Sequence, residues 1–139
     1  MRRWLGRDKG KIHDQFGPNS FRLTDMNDAP LTYSSNEMER PGLVVMKLAG
    51  PLTLRNMFEF QSELARNTPP RMVFDLSDVP YMDSAGIGVL INYYVSAEKN
   101  GRKMALAGAN ERIDALLVLT KVQRLLRSFG TVEEAVAGI

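Results

Sequence analysis

The sequence predicts an α/β domain, a mainly parallel β-sheet core with about four helices packed on it. Three observations carry that prediction. From residue 43 onward, short apolar runs alternate with segments whose apolar residues recur every three or four positions, so strand and helix follow one another in turn. The units are punctuated by Pro41-Gly42, Gly50-Pro51, Pro69-Pro70 and Asn100-Gly101, where proline removes a donor or glycine permits a turn. Hydrophobic residues make up 44% of the 139 positions, enough for one buried core at the usual length of a single domain. Such alternation implies right-handed crossovers between parallel strands, with function collecting at the strands' carboxyl ends.

In chain order, residues 1–30 form a basic and polar leader and residues 31–139 the domain. Residues 1–11 carry five basic side chains against one acid, and Gly17-Pro18-Asn19-Ser20 and residues 25–30 are turn material without periodicity. The leader is expected to be a flexible, solvated tail. A mixed strand is expected over 31–38, then a firm one over 43–48. Leu54, Met57, Phe58, Gln61, Leu64 and Ala65 trace one inward helical face, with Thr53 as its N-cap. Met72-Val73-Phe74 and Leu76 read as a buried strand, followed by a polar turn through Asp75, Ser77, Asp78 and Pro80. The next helix is marked by Ile87, Leu90, Ile91 and Tyr94, which leaves Tyr93 toward the surface. Residues 103–107 give another strand, and Asn110 caps a helix that turns Ile113, Leu116 and Leu117 inward. Residues 124–127 are expected as a short strand, and Thr131 with Glu134 as the capping box of a last helix holding Ala135 and Val136.

Composition excludes several classes. With no cysteine there is no disulfide framework, thiolate metal site or cysteine nucleophile. The net charge of +2 does not call for nucleic acid as a direct partner. No apolar run approaches the roughly 20 residues of a membrane span, and the basic start has no apolar stretch behind it, so a cytoplasmic protein is expected.

The candidate site is the run Asp83-Ser84-Ala85-Gly86-Ile87-Gly88, where a strand has ended and a helix begins. Taken alone, Asp83 or Ser84 is a helix cap, worth about 1 kcal/mol, and the glycines allow a tight turn or a close approach. A serine hydrolase would need Gly-x-Ser-x-Gly and a base, but Met82 stands at the first glycine and the single histidine, His13, lies in the leader. Asp75, Asp78 and Asp83 are carboxylates of the kind that hold hard cations, but turn formation accounts better for the first two. No metal or cofactor site is expected, nor any catalytic residue.

The words Val73-Phe74-Asp75-Leu76 and residues 81–88 resemble the signature of STAS domains, the anti-sigma factor antagonist family. The likeness runs over residues 43–139 and includes Asn110 after its Gly-Arg-Lys-apolar strand. It implies a partner-switching regulator of transcription. Ser84 falls on the serine that the anti-sigma factor, itself an ATP-dependent serine kinase, phosphorylates, and a separate phosphatase resets it. It also implies a partner-binding surface of Asp83, Ser84, Ala85, Gly86 and Gly88, with Thr53 beside it. Thr53 is a departure, since the family commonly carries aspartate there after Gly-x-(Leu/Val/Ile). The family offers an alternative too: a STAS subunit of a membrane transport or sensory complex, acting as an unphosphorylated interaction module. Homodimer formation is left open.

Overall fold

A computed structural model describes residues 30–139, so expectations for residues 1–29, including His13, lie outside the described residues. The elements are β1 (Thr32–Glu37), β2 (Leu43–Ala49), α1 (Met57–Ala65), β3 (Arg71–Asp78), α2 (Ser84–Lys99), β4 (Lys103–Ala107), α3 (Glu111–Leu119), β5 (Ser128–Phe129) and α4 (Val132–Gly138). They build one five-stranded sheet in the order β1-β2-β3-β4-β5. Only β1 runs antiparallel to its neighbour, pairing Thr32 with Ala49, while the remaining pairs are parallel.

The two faces of the sheet follow from the alternation of side chains along each strand. Met46, Leu48, Met72, Phe74, Leu76, Met104 and Leu106 point to one face, where Phe60 and Leu64 of α1, Leu90 and Tyr93 of α2, and Ile113 and Leu117 of α3 cover them. Phe74 packs edge-on against Phe60 and Tyr93, with ring centroids 6.4 and 5.2 Å apart. Both phenylalanines are wholly buried, worth about 2–3 kcal/mol each. Leu43, Val45, Val73, Ala105 and Ala107 point to the other face, beneath Ala135 of the short α4. Beyond α4 that face turns polar. Lys47 lies 3.2 Å from Asp78 and 3.9 Å from Asp75, whose Oδ1 accepts the Ser77 hydroxyl at 2.7 Å.

The expected α/β order holds, with three corrections. The helix α1 begins at Met57, and its N-cap position is Asn56 rather than Thr53. With that start the buried residues are Phe60 and Leu64, whereas Leu54 and Phe58 face outward at 60% and 69% exposure. Residues 124–127 form a turn, and the edge strand is the next pair, Ser128–Phe129. Leu126, fully buried, supplied the apolar signal from within that turn. Tyr93 rather than Tyr94 is the core residue, because its hydroxyl finds a buried donor role at the carbonyl of Asn67, 3.2 Å away. The caps otherwise follow expectation: Asn110 Oδ1 accepts from Ile113 N and Thr131 Oγ1 from Glu134 N. Glu134 returns a bond to Gly130 N rather than to Thr131, one residue earlier than a strict capping box.

Candidate functional site

The carboxyl ends of β2 and β3 are stitched together before α2 starts. Gly50 N donates to Asp78 O at 3.1 Å, Leu52 N to Tyr81 O at 3.2 Å, and Asp83 N to Leu52 O at 3.3 Å, so Leu52 and Met82 form an isolated parallel bridge. Leu52 is fully buried and Met82 nearly so. Two loops thus become one surface.

Asp83 sits in extended geometry (φ −109°, ψ −173°) as the N-cap of α2. Its Oδ1 accepts from Gly86 N at 3.0 Å, satisfying one of the unpaired amides of the first helical turn. Its Oδ2 accepts from Leu54 N at 3.1 Å, across in the loop after β2. Asp83 is therefore the cap, and Ser84 is released from that task. Ser84 is the first residue of the helix and is exposed, and its hydroxyl makes no hydrogen bond to another described residue.

Ala85 is half-buried. Gly86 is buried, and a β-carbon there would collide with the carbonyl oxygen of Leu52, so the helix can approach the β2 loop only without one. Gly88 is different: a β-carbon would meet nothing within 4 Å. It leaves an open surface one turn past the serine.

Thr53 lies in the adjoining loop, and its side chain does not reach that surface. It is 5% exposed, and its Oγ1 is buried with no partner. Asn56 organises the loop instead: its Oδ1 accepts from Thr53 N at 2.9 Å and its Nδ2 donates to Pro51 O at 2.7 Å. On the other side, Asn110 Nδ2 donates to Pro80 O at 3.0 Å, and the Arg112 guanidinium stands 5.3 Å over the Tyr81 ring. Asp75, Asp78 and Asp83 do not converge. The first two meet at Lys47, the third is taken up by backbone amides, and no group of three metal-ligating side chains forms among the described residues.

Asp83 is the N-cap and Ser84, Ala85, Gly86 and Gly88 lie in the opening of α2, while the outward pair Leu54 and Phe58 was missed by sequence reasoning. The four-residue spacing of that pair is the same for a core stripe and an exposed one, so the signal was present without its direction. It also missed Leu52 and Asn56, whose roles rest on backbone contacts that no side-chain pattern announces.

A Thermotoga maritima relative named as a candidate anti-sigma factor antagonist is 37% identical over 60 residues, spanning 43% of this chain and 53% of the relative, about half its length. The anti-sigma F factor antagonist of Paenibacillus polymyxa is 27% identical over 95 residues, 65% of this chain and 81% of that protein. Among solved structures, the anti-sigma factor antagonist SpoIIAA in its unphosphorylated form aligns with a TM-score of 0.64 at 18% identity, covering 78% of this chain and 98% of that one. SpoIIAA of Bacillus has also been solved in its phosphorylated form. The fold recurs in a murine solute carrier 26 anion transporter, with a TM-score of 0.64 at 16% identity over 78% of this chain and 22% of the transporter. The STAS domain model matches residues 36–135. Given that match, and the five-stranded sheet with its helix-opening Asp83-Ser84 turn, the chain belongs to the STAS domain family.

Proposed function

We propose that this chain is an anti-sigma factor antagonist that works by partner switching. Unphosphorylated, it binds an anti-sigma factor with serine kinase activity and so frees a sigma factor for transcription. Phosphorylated on Ser84, it releases that partner, and a phosphatase restores it. It serves as substrate and binding module rather than as catalyst, and it works in the cytoplasm. No described helix is long and apolar enough to cross a membrane, which fits that setting.

The observation that carries the reading is the division of labour between Asp83 and Ser84. Asp83 does the capping, so the neighbouring hydroxyl, exposed and unbonded, has no structural task to lose. Phosphate there adds about 1.5 to 2 negative charges. The N-terminus of the 16-residue α2 favours an anion, so the fold keeps its integrity. The cost falls on the complex. A partner surface fitted to a small neutral hydroxyl beside Gly86 and Gly88 would have to desolvate a doubly charged group next to Asp83.

The test is intact-mass analysis of the full chain after incubation with ATP and each candidate kinase anti-sigma factor, with Ser84→Ala alongside. One added phosphate, absent in the variant and accompanied by weaker complex formation, is the expected result. Absence of phosphate with every candidate, with stable binding of a transporter or scaffold subunit, would overturn it. The second reading, an unphosphorylated interaction module of a membrane transport or sensory complex, draws on the buried, uncharged Thr53 where the family carries an acid. The shared fold with a transporter domain is consistent with it.

A further inference from the structure

A groove of about 290 Å³ runs between α1 and α2, a volume at the small end of ligand pockets. Leu64, Val89 and Tyr93 form its floor, Ala65 stands at its rim, and the rest of the rim is polar. Arg102, which follows α2, is the one cation of its lining. That side chain is half-buried, and its donors outnumber their acceptors. Nη2 donates to Ser96 Oγ at 2.8 Å, and the guanidinium lies 5.4 Å over the Tyr93 ring. Nη1 is enclosed with no acceptor. Ser96 Oγ accepts the bond from Arg102 and makes no other among the described residues, so its own hydrogen is also left over. Two donors thus stand side by side without an acceptor.

No acid answers the charge. Glu63, near the end of α1, is taken by Arg66 at 2.8 Å. Glu98 shares a neighbouring cleft with Arg102 but forms no ion pair with it. A half-buried charge without a counter-ion is costly, and the face of the Tyr93 ring offsets only part of that cost.

We propose that this groove binds a small organic carboxylate, with its two oxygens on Arg102 and Ser96 and its apolar body over Leu64, Val89 and Tyr93. The planar guanidinium fork matches the two oxygens of a carboxylate. Arg102 ends a long flexible stem, and turning the fork toward the groove gives Nη1 the acceptor it lacks. Covering the floor removes apolar surface from water, and expelling that water strengthens the ion pair. A dianionic phosphate fits less well, because a single cation would have to answer both charges. The volume suits a body of one ring or a short chain. The inference does not depend on the Ser84 switch, since no residue of the 83–88 turn takes part in it.

Titration of the full chain with 3-phenylpropionate, cyclohexanecarboxylate and hexanoate, followed by the NMR shifts of its backbone amides, tests it. Saturable shifts are expected at residues 61–68, 89–96 and 102, with a dissociation constant of about 1 mM or tighter for at least one acid. The neutral 3-phenylpropionamide should bind about tenfold more weakly than its acid, and acetate should not saturate. Arg102→Met keeps the stem against Tyr93 and should weaken the acids about tenfold while leaving the amide unchanged. Ala65→Trp, at an exposed position, fills the groove without touching the charge and should abolish binding, which keeps the test open should Arg102→Met fail to fold. Saturation by none of the three acids overturns the proposal. Equal affinity for the acid and its amide overturns it too, since charge would then play no part. Undiminished binding by Ala65→Trp places the ligand elsewhere and overturns it as well. Acetate saturating as tightly as the larger acids would reduce the site to a bare anion contact and overturn the role of the apolar floor.

Discussion

Asp83 reaches out of its own helix to Leu54: Oδ2 accepts the Leu54 amide at 3.1 Å while Oδ1 holds Gly86 at 3.0 Å. One carboxylate thus fixes both the start of α2 and the loop that follows β2, and the Ser84 surface exists only where those two segments meet. Asp83→Ala should lower stability by about 1–3 kcal/mol in urea unfolding. Asp83→Asn should recover only part of that, because an amide supplies one acceptor and turns a donor toward the other N–H. An Asp83→Asn variant as stable as the parent would show that the Leu54 bond contributes nothing.

The two glycines of the turn should respond in opposite directions. Gly86→Ala forces a β-carbon into the Leu52 carbonyl and should cost about 1–3 kcal/mol. Gly88→Ala enters open space within the helix and should stabilise the fold by up to about 1 kcal/mol. Thermal unfolding reads both. If Gly88 belongs to the contact surface, its alanine variant should bind the anti-sigma partner more weakly despite melting higher.

Ser84→Asp should leave the fold intact. An acid at the first helical position interacts with the helix dipole by about 0.3–1 kcal/mol, offset in part by Asp83 beside it. The melting temperature should stay within a few degrees of the parent, while partner binding measured by calorimetry is lost. Loss of both together would mean that Ser84 is a structural residue.

The Thr53 hydroxyl is enclosed without a partner, so Thr53→Val removes an unsatisfied group at constant shape. A gain of about 1 kcal/mol is expected from urea unfolding. A loss would reveal a bound water or a loop rearrangement that serves the hydroxyl.

Tyr93 carries a pH dependence. Its burial raises the phenol above its ordinary value of 10.0, and the nearby Arg102 guanidinium opposes that rise. The folded state therefore holds the proton more tightly than the unfolded one. The resulting stability is fully present below about pH 10 and is lost as pH climbs above it, through the raised folded value. Tyr93→Phe should flatten that alkaline decline, at a cost near neutrality of about 1 kcal/mol for the bond to Asn67. A decline of the same steepness in the phenylalanine variant would assign it to another group.

Much of the architecture was legible because the chain is locally consistent. The run Leu43–Ala49 could only be a strand between its glycines, and Asn110 and Thr131 announced their helices by capping chemistry. Difficulty arose where a residue's direction depends on where a helix begins. With α1 starting at Met57, Leu54 falls in the turn before it, and Phe58 faces outward while Phe60 enters the core. The neighbouring tyrosines of α2 differ in the same way by a third of a turn. The edge strand β5 is two residues long, too short to leave a periodic mark. At the site, the word Asp83-Ser84 was readable, but which of the two caps the helix was not, since both side chains can do so. That choice is settled by Leu54, 29 residues away in sequence.

The antiparallel course of β1 has a practical corollary for anyone attaching labels to this protein. Because Thr32 pairs with Ala49, Pro30 lies over Gly50, at the same end of the sheet as Ser84. A fluorophore attached at the exposed Thr32 would stand at the serine's end of the sheet, on the side from which a partner would approach. The opposite terminus behaves otherwise. Ile139 is held by Arg71 at the beginning of β3, so a handle placed after it would leave the serine end unobstructed.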